Sequence, residues 1–149
     1  MTDTEREEYE KKKEYLRGYE YAVRQMQRHA ERITEMRLNR MGAAIRIDGM
    51  PHAHSSSDLS SYAVKLDEEE RKYLRERYKR IMKCKEITDR IEMLSDEDEK
   101  DVLMYRYVRL MKWEDICVKM NRSWKQIHRI HARALSNFRL PEKIKDDIE

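Results

Sequence analysis

The chain has 149 residues, 42% of them charged, and its 33 Lys and Arg nearly balance its 30 Asp and Glu. This length allows one small domain, or a small domain with an extended appendage. The N-terminus has no apolar core and no window approaches the roughly 18 apolar residues of a membrane span, so we expect neither a signal peptide nor a membrane segment. Cys84 and Cys117 are isolated, form no metal-type pair and fit a reducing cytoplasm.

Glycine and proline are scarce, and neither occurs in the 89 residues between Pro51 and Pro141. Because these two residue types interrupt secondary structure most strongly, their absence favours long helices. The charged fraction points the same way, since a helix with a narrow apolar seam leaves most of its surface in water. We therefore predict an all-α chain.

The first segment, residues 4–40, is predicted to form one long amphipathic helix. Its apolar positions have heptad spacing over nearly three repeats; they are Leu16, Tyr19, Val23, Met26, Ala30 and Ile33. Gly18 weakens this helix by about 1 kcal/mol relative to alanine but need not break it. The seam can pack within the chain or pair two chains in a homodimer, and the pattern leaves both alternatives open.

Residues 41–58 interrupt the helical pattern with two glycines, one proline and a serine run, and we interpret them as a flexible linker. A second long helix is predicted over residues 59–94, with Asp58 or Asp67 as its N-cap. Its apolar stripe consists of Leu74, Tyr78, Ile81, Thr88 and Ile91.

Residues 95–140 are predicted to form a domain of shorter helices. Ser95 and Asp98 have capping-box spacing, so a helix is expected to begin there and to reach Val108. Nine basic residues between 101 and 139 outnumber three acidic ones, so positive charge is concentrated in this domain. The final segment, 141–149, is acidic and is expected to be frayed.

The stretch from Lys112 to Arg139 has the pattern of two helices joined by a tight turn. Ser123 is a good N-cap and Gln126 completes a capping box, so the second helix should begin at Trp124. Apolar residues repeat at spacings of three and four on both sides of the turn. The second helix has no acidic residue and carries Lys125, His128, Arg129, His131 and Arg133. This is the pattern of a helix-turn-helix whose cationic second helix suits phosphates and base edges.

The segment from about Ile91 to Phe138 resembles region 4 of bacterial sigma-70 factors, the helix-turn-helix that reads promoter DNA. The likeness is carried by the WEDI sequence, by the Ser-led helix that ends in ARAL, and by Leu94, Val102, Leu103 and Tyr107. The whole chain resembles the small phage regulators of the RinA and ArpU type, including a DGMP and serine stretch before a helix. This resemblance implies a helical N-terminal part followed by a helix-turn-helix. Together with the heptad seam and the linker, it predicts a long N-terminal helical hairpin or coiled coil followed by a C-terminal helix-turn-helix bundle.

The resemblance also implies roles for residues. In region 4 the first residues of the second helix touch bases, which implies base contacts by Trp124, Lys125 and Arg129 and a phosphate-side position for His128. The major sigma factors have an acidic residue where this chain has Lys125, so an acceptor has become a donor and the consensus minus-35 hexamer is not the expected target. Trp113 is expected in the core. The predicted DNA-binding residues are Arg106, Arg109, Lys112, Arg122, Ser123, Trp124, Lys125, Gln126, His128, Arg129 and Arg133.

We interpret the chain as a sequence-specific double-stranded-DNA-binding transcriptional regulator of phage or prophage type, acting in the cytoplasm of a bacterial host, with RNA polymerase as a further partner. No catalytic constellation is recognisable and the pairs His52 with His54 and His128 with His131 lack further ligands, so we expect neither an enzyme nor a metal or other cofactor. Two alternatives stay open. One is the DNA-recognition small subunit of a phage packaging terminase, in which the helix-turn-helix usually comes first; the other is a helical polymerase-interacting inhibitor. A basic amphipathic helix is also often only a solvated surface.

Overall fold

The computed structural model describes the backbone of residues 1–45 and 56–142 and the side chains of residues 1–40 and 59–142. Every regular element in these ranges is helical, which confirms the all-α prediction. The α-helices are α1 (Asp3–Leu16), α2 (Gly18–Ile45), α3 (Ser56–Ile91), α4 (Glu97–Leu103), α5 (Trp113–Met120) and α6 (Trp124–Asn137), and a π-helical turn, Met104–Val108, follows α4. None of the described helices is long and apolar enough to cross a membrane.

The chain divides into two compact units. Unit 1 comprises residues 1–21 and 81–149, and unit 2 comprises residues 22–80. The helices α2 and α3 each contribute residues to both units. The predicted helix-turn-helix segment therefore folds in one unit with α1 and with the C-terminal turns of α3.

The single helix predicted over residues 4–40 is two helices, separated at Arg17. The following residue, Gly18, has the lowest helix propensity after proline. It also lies close to the Lys83 side chain, whose Cε would be 2.6 Å from a Cβ added at this position. The missing side chain thus both weakens the helix and makes room for Lys83. The helix therefore breaks at a position where the sequence predicted only a lower helix stability.

The core of unit 1 collects apolar side chains from α1, α3, α4, α5 and α6. Those with less than 2% exposure are Leu16, Ile87, Ile91, Val102, Leu103, Ile116, Ile127, Ala134, Leu135 and Phe138. The first two positions of the predicted heptad seam, Leu16 and Tyr19, are buried here. They serve the core of their own chain, and pairing of two chains through the remainder of the seam stays a prediction.

The helix boundaries around the predicted linker differ from those expected. The helix α2 continues to Ile45 and α3 begins at Ser56, so the segment 41–58 is helical at both of its ends. Asp67 lies within α3 and pairs with Arg71 at 3.0 Å instead of capping a helix, because the helix has already begun eleven residues earlier. Residues 46–55, which include His52 and His54, lie outside the described residues, as does the part 143–149 of the predicted frayed tail.

In unit 2, α2 and α3 are antiparallel and are joined by polar contacts. The carboxylate of Glu69 is 3.2 Å from Nδ1 of His29 and 3.4 Å from Nζ of Lys72, and its side chain is 8% exposed. Arg37 pairs with Glu70 at 2.8 Å. Burial raises the pKa of the Glu69 carboxyl, but hydrogen bonds from His29 and Lys72 and the charge of Arg32 outweigh it, so the net pKa is lowered.

The fourth helix begins one residue later than predicted. Its N-cap is Asp96, whose side chain accepts from the backbone N–H of Glu99 at 3.0 Å, so the capping box expected at Ser95 and Asp98 is wrong. A carboxylate is as good an N-cap as a hydroxyl. Glu99, whose N–H this cap satisfies, has a side chain that is buried at 3% exposure.

Candidate nucleic-acid interface

The turn between α5 and α6 has the geometry that the sequence predicts. The left-handed conformation of Asn121, with φ 51°, ends α5, and the N–H of Arg122 donates to the carbonyl of Cys117 at 3.0 Å in a Schellman arrangement. Ser123 then caps α6: its hydroxyl accepts from the N–H of Gln126, and the Gln126 side chain accepts from the N–H of Ser123. The capping box and the start of α6 at Trp124 are therefore confirmed.

One face of α6 packs into the unit 1 core and the opposite face is in solvent. The buried positions are Ile127, Ile130, His131, Ala134 and Leu135. Ile127 and Ile130 join Val102 of α4 and Ile116 of α5 in one apolar cluster, against which Trp113 is partly buried as expected. Lys125 and Arg129, four residues apart, lie on the opposite face and are exposed. This packing fixes which side of α6 is available to a ligand.

His131 is not on the cationic face where the sequence placed it. Its side chain is 4% exposed, and its Nε2 is 2.8 Å from the hydroxyl of Tyr107. Burial, and to a lesser extent nearby cations such as Lys13, lower the pKa of His131 to about 3. Burial also raises the pKa of Tyr107 to about 12. Both groups are therefore neutral near pH 7, and the pair belongs to the core.

An aromatic stack supports the N-terminal end of α6. The ring of His128 lies between two indoles, 4.6 Å from that of Trp113 and 4.5 Å from that of Trp124. The guanidinium of Arg106 lies 4.7 Å from the Trp113 ring and donates to the carbonyl of Met111 at 3.0 Å. Trp124, at the outer end of this stack, is 51% exposed. The Trp124 indole thus contacts His128 while about half of the side chain remains in solvent.

Three of the predicted cationic residues are held by partners within unit 1. Arg122 pairs with Asp98 at 2.7 Å, and Arg133 pairs with the buried carboxylate of Glu99 at 3.0 Å. The third, Arg106, is held by the contacts described above. Asn137 also donates to Glu99, at 3.1 Å, so that carboxylate connects two positions of α6 to α4. These guanidiniums stabilise the fold and are less available to DNA than the sequence suggested.

The side chains of Lys112, Lys125 and Arg129 have no hydrogen bond or ion pair within the described residues, and all three are exposed. Arg109 is also exposed, with its guanidinium 5.2 Å from the Tyr105 ring. Ser123 and Gln126 are engaged in the cap. Two of the eleven predicted residues, Lys125 and Arg129, are therefore cationic groups on the solvent face of α6 that are free to bind. They lie next to the exposed Trp124.

The position of α6 also depends on α1, which the sequence did not connect with it. The ammonium of Lys12 donates to the carbonyl of Leu135 at 2.9 Å and to that of Ser136 at 3.4 Å, and Lys12 is 8% exposed. A cation at a helix C-terminus satisfies orphan carbonyls and complements the helix dipole. Tyr9 of α1 packs edge-on against His131. The last turn of α6 contains no basic residue of its own, and this signal in the sequence is too weak to identify Lys12.

No family model, curated protein or solved structure matches the chain. The resemblance to sigma region 4 therefore stays a prediction, and the assignment of a function depends on the geometry of α5 and α6. Within the residues that the structure describes, no three His, Cys, Asp or Glu side chains come together as metal ligands.

Proposed function

We propose that the chain is a sequence-specific double-stranded-DNA-binding regulator of transcription, and that α6 is the helix that enters the major groove. The observation that carries this proposal is the two-sided character of α6: its apolar face is buried in unit 1, while Lys125 and Arg129 extend from the opposite face without a described partner. A recognition helix needs both properties, because it must be held rigidly and still present free donors to base edges.

The turn supports this proposal further. The capped N-terminus of α6 and the left-handed Asn121 set a compact helix-turn-helix, in which the N-terminal residues of the second helix are those that contact bases. Lysine and arginine donate most readily to O6 and N7 of guanine, and an exposed indole can contact a thymine methyl. We therefore propose Lys125 and Arg129 as guanine contacts and Trp124 as an apolar contact to the neighbouring base.

The regulator is proposed to be of phage or prophage type and to touch the RNA polymerase of a bacterial host. This part of the proposal is supported only by the resemblance of residues 91–138 to sigma region 4, in which the same module lies against polymerase. The contact with polymerase extends the DNA-binding proposal, but the DNA-binding proposal does not depend on it.

The test is a binding titration. A preferred duplex is first selected from random sequence with the full chain, and Arg129→Ala is then compared with wild type on the selected and on a scrambled duplex at two salt concentrations. We expect Arg129→Ala to lose about 1 to 3 kcal/mol on the selected duplex and to relax the preference at one base step.

Arg109→Ala is the matched control, because it removes the same charge from an exposed position outside α6. If Arg109 contacts a phosphate, its loss weakens binding to both duplexes equally and makes the salt dependence shallower. Binding of the selected duplex by Arg129→Ala as tightly as by wild type would show that α6 is not the reading helix, and the proposed function would fail.

A further inference from the structure

Unit 2 exposes more large apolar side chains than it buries. Among its described side chains, residues 22–40 and 59–80, the buried apolar ones are Ala22 and Ile33, at 9% exposure each. Five large apolar side chains are between 47% and 65% exposed: Leu38, Leu59, Val64, Leu74 and Tyr78. Exposed apolar area of this kind on a pair of helices marks an interaction surface when it is contiguous.

Part of this apolar area forms a groove between α2 and α3, which we call the α2–α3 groove. Its volume is about 350 Å³, and its walls are formed by Ala30, Ile33, Tyr73 and Leu74, with the Arg37–Glu70 ion pair beside them. Leu74, at the groove, and Tyr78 are four residues apart and so share one face of α3. A groove between two helices with anchors at this spacing fits the apolar face of a third helix.

The segment of α3 that carries Leu74 and Tyr78 is rich in basic residues. Residues 71–80 of α3 contain six basic residues and one acidic residue. Arg71, Lys72 and Lys79 pair with Asp67, Glu69 and Glu76. The side chains of Arg75 and Arg77 are exposed and have no ion pair or hydrogen bond within the described residues. An acidic partner would therefore gain two free guanidiniums beside the apolar face, and like charge disfavours a basic one.

We propose that the α2–α3 groove docks an acidic amphipathic helix of another protein, with apolar side chains against Leu74 and Tyr78 and carboxylates toward Arg75 and Arg77. Charge distinguishes this occupant from a second copy of the chain. Two copies paired through Leu74 and Tyr78 would bring their basic 71–80 segments together and repel. The proposal concerns unit 2 and does not depend on the DNA-binding role of α6.

The experiment uses the full chain and a fluorescein-labelled synthetic helix of about five turns, with Leu at alternating spacings of three and four and Glu elsewhere. We expect saturable binding by anisotropy, weakened at least about tenfold by Leu74→Glu, which places a charge in the apolar contact, and also weakened by Arg75→Glu. The same peptide with Lys in place of Glu should not bind. Val64→Glu is the matched control, because it puts the same charge at an exposed apolar position of α3 that does not line the groove.

Several outcomes would overturn the proposal. The acidic peptide could fail to bind the wild-type chain. The Leu74→Glu variant could keep its helical circular dichroism and bind the acidic peptide as tightly as wild type. The acidic and basic peptides could bind equally well. A doubled mass in sedimentation that Leu74→Glu abolishes would assign the groove to a second copy. Cosedimentation with phosphatidylglycerol vesicles that Leu74→Glu abolishes would assign it to a membrane surface. Because no DNA is present, failure here leaves the proposed function standing.

Discussion

Among the side chains that the structure describes, unit 1 buries fifteen apolar ones, whereas unit 2 buries Ala22 and Ile33 beside the carboxylate of Glu69. Unit 1 thus closes an apolar core around α6, with Lys12, Glu99 and His131 buried at its edges by polar contacts, and unit 2 connects two helices largely through ion pairs that water reaches. Apolar burial stabilises by roughly 25 cal/mol per Å², while an exposed ion pair contributes about 0 to 1 kcal/mol. The first kind of packing holds α6 in a fixed position, which the proposed base contacts require, whereas unit 2 leaves large apolar side chains exposed.

The largest expected effect that tests this comparison is a deletion in the unit 1 core. Leu135→Ala removes a fully buried side chain and should cost about 2 to 5 kcal/mol of unfolding free energy. Leu74→Ala removes the same atoms from a side chain that is 57% exposed in unit 2 and should cost no more than about 0.5 kcal/mol. Denaturant unfolding measures both: fluorescence of Trp113 and Trp124 reports unit 1, and circular dichroism reports all helices. Equal losses would contradict the contrast between the units.

His131 predicts a pH dependence of unit 1. Burial holds its pKa at about 3 in the folded chain, against an ordinary value of 6.5. Between these values the unfolded chain binds a proton that the folded chain does not, so acidification favours unfolding. The contribution of neutral His131 to the free energy of unfolding is fully present above pH 6.5, and it falls by about 1.4 kcal/mol per pH unit toward pH 3.

Tryptophan-detected unfolding at pH values on either side of 6.5 measures this slope. His131→Gln should be less stable near neutral pH, because it loses the close contact with Tyr107, but its stability should depend less on pH. An identical slope in wild type and variant would show that His131 is not the titrating group.

The polar interior of unit 2 predicts a smaller effect. Glu69→Ala removes a buried carboxylate and leaves His29 and Lys72 without their acceptor, so we expect a loss of about 1 to 3 kcal/mol in the thermal unfolding of the helices. The pKa of Glu69 is lowered, so its contribution is present above its ordinary pKa of 4.5 and is lost as the pH falls through the folded value. Glu68→Ala, at an exposed position next to it, should change stability by at most about 0.5 kcal/mol. Similar losses for both variants would mean that unit 2 is not organised around Glu69.

Local signals in the sequence sufficed to predict α6. The cap at Ser123, its partner Gln126 and the spacing of Ile127, Ile130 and Leu135 all act within one or two turns, and the structure reproduces each of them. The break at Arg17 was missed because the space beside Gly18 is occupied by Lys83, a residue far away in the sequence. The basic 71–80 segment was visible in the sequence, but only its exposure next to an open apolar groove distinguishes it from an ordinary solvated face.

The sequence alone therefore determined the helical class, the start of the capped second helix and which of its faces is apolar, because these follow from propensity, capping and periodicity along one helix. The tertiary structure decided which charges stay free. Arg122 and Arg133 are neutralised by Asp98 and Glu99, His131 is buried uncharged, and Lys12 reaches the end of α6 across 123 positions of sequence. Charge pairing depends on distances of a few ångströms in space, and helical periodicity contains no information about them.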